Sequence, residues 1–338
     1  MNILYASDDN YAEIAAVSIV SLLENNKDAD NINFFMFDNG LTSESKERLS
    51  GLVEKYSREI IFINMPDIEK LMGIKLHVPY WLTLTIFARL FTASLLPADI
   101  DKIIWLDADT MIRSSILPLW NEDLGGNLVG GCQDGIPVLH KKTVFLKKTD
   151  IYVNAGVYLF NLKAWRDNNI EKKFINFLKL FDGKLHYPDQ DVVNGVCKNY
   201  IKLVAPKYNS ISYYFNYNPE LLYYANIKDY YSKEELKEAK ESPVIVHFAG
   251  KGRKPWTDGN IHIYQDEYIQ YRNMTPWENI PMREATTPVP EKIKSKLPGF
   301  IHRFYKKFKI SKEKKPLIKY AKKRLKESEI SLDDCYIK

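Results

Sequence analysis

The chain has 338 residues, of which 45% are hydrophobic, a fraction that is ordinary for a globular protein and excludes disorder throughout. Its net charge of +5 is uneven, because residues 286–338 contain sixteen Lys/Arg and six Asp/Glu and carry +10, while the rest of the chain carries −5. The three cysteines show no Cys-x-x-Cys spacing, which argues against a disulfide framework and a zinc knuckle and favours a reducing cytoplasm.

We expect neither a secretory signal nor a membrane-spanning segment. The first residues contain no charged n-region and no apolar h-region. The longest apolar candidate, residues 14–23, has about half the roughly 18 to 20 apolar residues that a transmembrane helix needs, and it contains two serines.

Apolar runs alternate with amphipathic segments over about the first 260 residues, which predicts an α/β fold with a doubly wound, mostly parallel sheet and helices on both faces. Strands are predicted at residues 2–6, 32–37, 60–64, 102–106, 128–132, 157–161 and 244–247. Helices are predicted at residues 11–23, from Ser43 onward, and at 85–95, 164–181 and 190–200. Residues 206–231 are rich in Tyr, Asn and Phe, which suits either an aromatic wall for a ring-shaped ligand or packed surface aromatics.

The C-terminal segment has apolar residues at helical spacing on both sides of Pro316, which predicts basic amphipathic helices. Between residues 291 and 326 there are fifteen Lys/Arg and two acidic residues. Such helices either dock on an anionic membrane surface, where each Lys or Arg contributes on the order of 1 kcal/mol, or pack against the body of the protein. No nucleic-acid-binding motif accompanies the charge, so we expect no nucleic-acid partner.

Asp107 and Asp109 follow the apolar strand predicted at residues 102–106. Residues i and i+2 of a strand point to the same face, so the two carboxylates are expected together at the carboxyl edge of the sheet. Two hard oxygen ligands suit Mg²⁺ or Mn²⁺, which leave coordination positions for phosphate oxygens. The strand context favours metal binding, although Asp-x-Asp pairs also arise by chance in a chain with 27% charged residues.

A second polar cluster, Asp8, Asp9, Asn10 and Tyr11, follows the first strand. The exit of this strand faces the nucleotide in open parallel sheets, where Asp8 and Asn10 supply an acceptor and a donor for a uracil edge or ribose hydroxyls. The alternative is that Asp8 or Asp9 caps the helix that begins near Tyr11. Neither a dinucleotide fingerprint nor a Walker loop is present, so phosphate binding is expected to depend on the metal.

A third cluster begins where the last predicted strand delivers His247 to the sheet edge. The loop after it contains Gly250 and the cations Lys251, Arg253 and Lys254, which could close over a diphosphate and stabilise its charge as it leaves. Beside two carboxylates, an imidazole is a natural third metal ligand.

Six motifs occur in order along the chain: Asp8-x-Asn10-Tyr11, Phe87-Ala88-Arg89, Asp107-Ala108-Asp109, Asn154-Ala155-Gly156-Val157, Asp189-Gln190-Asp191, and His247-Phe248-x-Gly250 with Lys254-Pro255-Trp256. Over about residues 1–260 this order resembles glycosyltransferase family 8, the retaining bacterial galactosyl- and glucosyltransferases of GT-A fold. The resemblance implies a catalytic domain at 1–262, with a nucleotide-binding half at about 1–110 and an acceptor half at about 111–262. A basic helical region at 263–338 follows.

By that resemblance the chain binds a UDP-hexose and Mn²⁺ (or Mg²⁺), with Asp107, Asp109 and His247 as the metal ligands. The other implied donor contacts are Asp8, Asp9, Asn10, Tyr11, Arg89, Ala108, Asn154, Ala155, Asp189, Gln190, Gly250 and Lys254. The implied catalytic residues are Gln190, Asp189, Asp191 and Lys254, and the acceptor-side residues are Asp134 and Tyr187.

The cationic loop departs from the family pattern, because it is one residue longer after Gly250. Lys251, Arg253 and Lys254 are therefore all candidates for the diphosphate contact. We favour Lys254, since the following Pro-Trp pair belongs to the same motif.

Retention of configuration has two possible routes. Double displacement needs a carboxylate, Asp189 or Asp191, near the β face of the sugar. In front-side attack, the leaving phosphate itself deprotonates the acceptor hydroxyl. An amide such as that of Gln190 is a poor nucleophile, which favours the second route.

The resemblance thus implies a retaining enzyme that moves galactose or glucose from a UDP-sugar to a glycan of a bacterial cell-surface polysaccharide, capsule or lipopolysaccharide. The basic tail would hold this cytoplasmic protein peripherally on the inner face of the cell membrane. One alternative is a non-catalytic sugar-nucleotide- or glycan-binding module. Another is a phosphatase of the haloacid-dehalogenase type, whose Asp-x-Asp signature expects Thr or Val where this chain has Met111.

Overall fold

The computed structural model describes residues 1–77, 84–211, 214, 227–250, 254–259, 262–284 and 299–337, without the side chains of 299–305. The strands in these ranges are β1 (Asn2–Ser7), β2 (Asn33–Asp38), β3 (Ile60–Asn64), β4 (Lys102–Leu106), β5 (Thr110–Ile112), β6 (Val129–Gln133), β7 (Val153–Asn161), β8 (Ile201–Leu203), β9 (Ser210–Ile211) and β10 (Ile245–His247). They form a seven-stranded sheet in the order β3-β2-β1-β4-β7-β6-β8 and a small sheet in the order β5-β10-β9.

The α-helices of the same ranges lie mainly between the strands. They are α1 (Ala12–Glu24), α2 (Ser43–Glu54), α3 (Ile68–Met72), α4 (Thr92–Leu95), α5 (Leu117–Trp120), α6 (Val138–Lys141), α7 (Leu162–Asp167), α8 (Ile170–Leu180), α9 (Pro188–Val196), α10 (Lys233–Glu241), α11 (Gln265–Arg272) and α12 (Gly299–Glu327). Short 3₁₀ helices occur at Asp9–Tyr11, Leu84–Phe91, Lys142–Val144, Pro206–Asn209 and Ile227–Asp229.

The predicted mostly parallel sheet is confirmed. β1 is parallel to β2 and β4, β2 to β3, and β6 to β8. β7, however, runs antiparallel to both β4 and β6. Its first residues therefore reach the edge at which β4 ends, and the backbone N–H of Asp107 donates to the carbonyl of Gly156 at 2.8 Å.

The small sheet brings the last strand over the end of β4. In β10, His247 pairs with Thr110 of β5 on one side and with Ile211 of β9 on the other. The N–H of Phe248 donates to the carbonyl of Asp109 at 2.9 Å. This sheet therefore carries His247 to the carboxylates that follow β4.

Helix α1 is buried on nearly all sides, because it packs against β1, β5, α2 and α11. Its serines connect it to β5. Ser18 Oγ lies 2.8 Å from Thr110 Oγ1, and Ser21 Oγ accepts from the N–H of Ile112 at 2.9 Å. Buried hydroxyl groups need such partners, so these bonds fix the helix beside the strand that supports His247.

Several predicted boundaries differ from the structure. The helix expected at 85–95 is the 3₁₀ helix Leu84–Phe91 followed by α4. The helix expected at 164–181 is two helices, α7 and α8, with Asn169 between them in the left-handed region at φ 51°. β5, β8 and β9 were not predicted, because runs of two or three residues show no periodicity.

The expectation of two C-terminal helices separated at Pro316 is wrong, because α12 is one helix that continues through this proline. Part of α12 packs on the body. Ala321 and Lys314 are buried, and Arg324 Nε donates to the carbonyl of Leu180 in the last turn of α8 at 3.0 Å. Among residues 306–327 of α12, whose side chains the structure describes, the exposed residues are predominantly lysines: Lys307, Lys309, Lys312, Lys315, Lys319, Lys322, Lys323 and Lys326.

Within the described ranges, no helix combines the length and the apolar character that crossing a membrane requires.

Candidate active site

A cleft of about 230 Å³ opens at the carboxyl ends of β1 and β4. Its walls come from the exit of β1, the 3₁₀ helix before α4 and the end of β4: Ala6, Ser7, Asp8, Tyr11, Thr85, Ile86, Arg89, Trp105, Asp107, Ala108 and Asp109. Open α/β sheets bind ligands at this edge. The structure therefore places six of the predicted donor-side residues around one cavity.

Asp107 uses its two carboxylate oxygens differently. Oδ1 accepts from Trp105 Nε1 and from Arg89 Nη2, each at 2.9 Å. Oδ2 lies 3.8 Å from Nε2 of His247. Two donors thus fix the orientation of this carboxylate and leave the second oxygen facing the imidazole.

The two carboxylate oxygens of Asp109 also face different neighbours. Its Oδ1 lies 3.2 Å from His247 Nε2, and its Oδ2 lies 3.4 Å from Lys254 Nζ. Burial opposes ionisation of this carboxyl group, but His247 and Lys254 outweigh it and hold the pKa of Asp109 far below its ordinary value. The carboxylate is therefore ionised at neutral pH, as a metal ligand must be.

Asp107, Asp109 and His247 each offer one ligand atom, and these atoms lie within 4.8 Å of one another. Carboxylate oxygen with imidazole nitrogen is a donor set that suits Mn²⁺, and also Mg²⁺ with water completing the shell. The three residues therefore fit the implied divalent cation.

Gly156 makes the room that His247 occupies. A Cβ atom at this position would lie 2.0 Å from Cε1 and 2.3 Å from Nδ1 of His247. Any side chain would therefore displace the imidazole, which explains why the motif after Asn154 needs a glycine here.

Arg89 connects the metal-ligand carboxylate with the predicted sugar side of the site. It is 4% exposed, and its Nε lies 2.9 Å from Asp189 Oδ2 while Nη2 reaches Asp107. Its Nη1 also donates to the carbonyl of Ala155. Burial raises the pKa of Asp189 in spite of the opposing effect of Arg89. One guanidinium thus orients two carboxylates.

Gln190, Asp134 and Asn154 form a polar network beside these residues, in which Gln190 and Asp134 are buried. Gln190 Nε2 donates to Asp134 Oδ2 at 2.7 Å, and Asn154 Nδ2 donates to the same oxygen at 3.2 Å. Gln190 Oε1 accepts from the N–H of Ala155 at 2.9 Å. These hydrogen bonds therefore connect the first residues of β7 with the start of α9.

Asp191, in contrast, is fully buried and has both oxygens bonded within the protein. Oδ1 lies 2.7 Å from His140 Nε2 and accepts from the hydroxyl of Tyr152 at 2.6 Å. Oδ2 accepts from the N–H of Tyr187 at 2.9 Å. Burial raises the pKa of Asp191, but His140 and these hydrogen bonds outweigh it and lower the pKa overall. The structure does not direct this carboxylate toward the network around Gln190.

At the exit of β1, the capping interpretation of Asp8 agrees with the structure, because its Oδ1 accepts from the N–H of Tyr11 at 3.1 Å. Asp9 turns instead toward α2, where its Oδ1 accepts from the N–H and the hydroxyl of Thr42 at 3.0 and 2.8 Å. The carbonyl of Asn10 accepts from Arg283. Of these four residues, Asp8 and Tyr11 line the cleft.

The loop after β10 is described in part. Gly250 has φ 87°, a conformation that favours glycine, and the ammonium of Lys254 donates to the carbonyl of Phe248 beside Asp109. Lys251 and Arg253 lie outside the described residues, as does most of the aromatic segment 206–231. On the predicted acceptor side, the ring of Tyr187 is 5.0 Å from the ring of His140.

The sequence pattern did not identify three buried residues around this site. His140 and Tyr152 bond Asp191, and Asn209 lies between His247 and Asn154 at 3.0 and 2.9 Å. Asn209 falls within the Asn-rich segment already noted, but nothing in one sequence separates it from its neighbours.

Comparisons with known proteins identify the family. The family model for glycosyl transferase family 8 matches residues 2–260. A putative glycosyltransferase of Haemophilus influenzae is 31% identical over 78% of this chain and 76% of its own length. A lipopolysaccharide 1,2-glucosyltransferase of Escherichia coli is 29% identical over 84% and 81%, and a lipopolysaccharide 1,3-galactosyltransferase of Salmonella typhimurium is 27% identical over 85% and 82%.

The fold is also similar to that of a solved enzyme. The galactosyltransferase LgtC, crystallised with donor and acceptor sugar analogs, matches with a TM-score of 0.70 at 24% identity, over 88% of this chain and 100% of that one. This similarity confirms the predicted GT-A fold. Together with the match over residues 2–260, it leads to one conclusion: the chain belongs to glycosyl transferase family 8.

Proposed function

We propose that the chain transfers galactose or glucose from a UDP-sugar, with retention, to a glycan of a bacterial cell-surface polysaccharide or lipopolysaccharide. The observation that carries this proposal is the set formed by Asp107, Asp109 and His247 beside the cleft at the end of β4. The names of the Escherichia coli and Salmonella relatives support the class of acceptor.

Asp107, Asp109 and His247 would hold Mn²⁺ (or Mg²⁺), which when bound offsets the charge of a donor diphosphate. Lys254 would add a cation on the same side, since its ammonium already lies next to Asp109. Arg89 keeps Asp107 oriented with one oxygen free for the metal. The protein thus presents positive charge where a departing UDP develops negative charge.

For the nucleotide we propose the residues at the exit of β1, with Asp8 and Tyr11 lining the cleft. Asp9 and Asn10 lie between them in the chain. Because the carboxylate of Asp9 is bonded to Thr42, its contribution would be to shape this turn. Ala108, Ala155 and Gly250 complete the proposed donor contacts.

For the sugar we propose Asn154, Asp189 and Gln190, with Asp134 and Tyr187 on the acceptor side. We favour front-side attack, because both carboxylates that double displacement could use are held within the protein: Asp189 by Arg89, and Asp191 by His140, Tyr152 and a backbone N–H. The bond from C1 to the phosphate oxygen breaks, the acceptor oxygen bonds to C1 on the same face, and its proton passes to the phosphate oxygen. Gln190 would lie beside the anomeric carbon, with its amide held by Asp134 and by the N–H of Ala155.

We also propose that residues 1–262 form the catalytic domain, with a nucleotide-binding half at about 1–110 and an acceptor half at about 111–262. The basic region at 263–338 would attach the protein to the inner, cytoplasmic face of the cell membrane. The exposed lysines of α12 support this attachment, because anionic lipid attracts each of them.

The experiment is to incubate the protein with Mn²⁺, a glycan acceptor preparation and a panel of UDP-sugars, and to measure UDP release and the anomeric configuration of the product by NMR. Asp109→Asn should abolish release, whereas Asp99→Asn, at an exposed aspartate outside the site, should not. No release with any donor would favour the non-catalytic module, and release that Asp109→Asn leaves unchanged would refute the proposed metal site.

A further inference from the structure

Asn209 is a buried amide at the end of the 3₁₀ helix Pro206–Asn209, immediately before β9. It is 1% exposed, and it belongs to none of the motifs from which the site was predicted. Both ends of its amide are nevertheless bonded to residues of the proposed site. Its Oδ1 lies 3.0 Å from Nδ1 of His247, and its Nδ2 donates to Oδ1 of Asn154 at 2.9 Å.

The orientation of these groups follows from one backbone donor. The N–H of Gly156 lies 2.9 Å from Asn154, and because an N–H can only donate, the atom that faces it must be the oxygen of Asn154. Asn209 approaches that same oxygen, so Asn209 must present its NH₂ group there. Its own oxygen then faces His247.

The tautomer of His247 follows from this orientation. An amide oxygen can only accept, so Nδ1 of His247 must carry a proton. In the neutral imidazole, the lone pair is then on Nε2, the nitrogen that faces Asp109 at 3.2 Å and Asp107 at 3.8 Å. This is the tautomer that a metal ligand requires at Nε2.

We propose that Asn209 is a positioning residue that holds His247 in the metal-binding tautomer and couples it to Asn154, a proposed sugar contact. The proposal rests on the proposed metal site. One amide then has two separate functions. Its oxygen accepts from the imidazole of His247, and its NH₂ group donates to Asn154 on the proposed donor side.

Two substitutions separate these tasks. Asn209→Ala removes both bonds, and loss of such a partner of a metal-ligating histidine typically lowers metal affinity about 10- to 100-fold. Asn209→Asp keeps an acceptor for Nδ1 but places a second acceptor against Oδ1 of Asn154. It should therefore retain Mn²⁺ affinity within about threefold of the wild type while the donor KM rises about tenfold.

A matched control is Asn26→Ala. Asn26 is also a buried amide bonded through both ends, to the carbonyl of Leu22 and the N–H of Ile116, but it lies outside the site. Its loss should lower stability without changing Mn²⁺ affinity. A drop in affinity that merely reflects weaker folding would appear in this variant as well.

The primary measurement is a Mn²⁺ titration followed by the electron paramagnetic resonance of the free ion. The second is ¹⁵N NMR of histidine-labelled, metal-free protein at alkaline pH, with His247→Gln used for assignment. We expect a protonated Nδ1 in the wild type and in Asn209→Asp, and a mixture of tautomers in Asn209→Ala.

The proposal is overturned if Asn209→Ala binds Mn²⁺ as tightly as the wild type, or if His247 of the wild type carries its proton on Nε2. If the wild type and Asp109→Asn bind Mn²⁺ equally weakly, the proposed metal site fails, and the tautomer measurement still decides the role of Asn209.

Discussion

Arg89 donates to Oδ1 of Asp107 across 2.9 Å from a side chain that is almost entirely buried. The same guanidinium reaches Asp189, also at 2.9 Å, and its centre lies 4.6 Å from the ring of Trp105. Arginine is suited to such a position, because its planar group presents donors in several fixed directions. The proposed metal side and sugar side of the site therefore share one cation.

Replacing this cation by lysine tests the connection. The ammonium of Arg89→Lys cannot reach both carboxylates, so at least one charge-assisted hydrogen bond is lost, worth about 1.5–3 kcal/mol. We expect kcat/KM for UDP release to fall about 10- to 100-fold. The control is Arg58→Lys, at a surface arginine that bonds the carbonyls of Ala29 and Asp30. Equal rates in both variants would contradict the shared role of Arg89.

The contact between Gly156 and His247 gives a steric prediction. In Gly156→Ala the new methyl group would overlap the imidazole, so the imidazole must leave the position facing the two carboxylates. We expect Mn²⁺ affinity to fall at least about tenfold, as it does when a residue that orients a metal-ligating histidine is removed. Gly51→Ala is the control, because a methyl group on Gly51, in α2, would meet no neighbouring atom within 4 Å. Isothermal titration with Mn²⁺ measures the affinity. Unaltered affinity in Gly156→Ala would show that His247 can accommodate a methyl group here and still bind the metal.

Lys141 predicts a pH dependence of stability. It is fully buried, and its ammonium donates to the carbonyls of Lys148 and Asp150 at 3.2 and 2.5 Å. Burial lowers the pKa of Lys141 to about 8 from an ordinary value of 10.5. Between these values the unfolded chain binds the proton and the folded chain does not, so stability rises with pH through this window and is lowest below it.

The comparison that isolates this effect is with Lys141→Met. From about pH 8 to about pH 10, the free energy of unfolding of the wild type should rise by about 2 kcal/mol relative to this variant. Urea unfolding at several pH values measures it, with Lys55→Met at an exposed position as the control. A constant difference across the range would mean that Lys141 keeps an ordinary pKa in the fold.

The C-terminal helix allows its structural role and its proposed membrane role to be separated. Removal of residues 299–338 exposes the surface that Ala321 covers and the last carbonyls of α8, which Tyr320 and Arg324 bond. We expect the free energy of unfolding to fall by about 2 kcal/mol or more. Thermal and urea unfolding measure this loss. An unchanged free energy of unfolding would show that α12 does not stabilise the rest of the fold.

Charge reversal at the exposed Lys319, Lys322 and Lys326, each to Glu, should leave stability within about 0.5 kcal/mol. It should lower binding to anionic vesicles at least about tenfold, because each cation near the surface contributes about 1 kcal/mol. Sedimentation with vesicles measures the binding, and neutral vesicles are the control. Full binding by the reversed protein would refute the membrane role of this face.

Local patterns predicted the first four strands and the first two helices well. β1 to β4 and helices α1 and α2 were placed within one or two residues, because each is long enough to show its periodicity. The two carboxylates of the proposed metal set were expected together for a similar reason, since Asp107 and Asp109 are two residues apart at the end of a buried strand. Both inferences use information that is contiguous in the chain.

Other features depend on pairing between distant segments. The antiparallel direction of β7 does not follow from its apolar pattern, and the two-residue β9 was not recognisable as a strand. Asp191 follows Gln190 directly, but successive helical residues are about 100° apart around the axis, so the two side chains enter different environments. Asn209 acquires its partners from β7 and β10, which no local pattern shows.

Because β7 runs antiparallel to β4, the number of paired residues in β7 determines where its first residues lie relative to the end of β4. Its ladder with β4 spans five residue pairs, from Asn161 opposite Lys102 to Val157 opposite Leu106, and Gly156 under His247 is the next position. Inserting or deleting one residue within this ladder would turn every following side chain to the other face of the sheet. A change of length in the loop before Val153 has no such effect. Loop lengths can therefore vary without changing which face of the sheet these side chains occupy. The number of residues from Val157 to Asn161 cannot vary in this way, because Gly156, at the next position, must remain against His247.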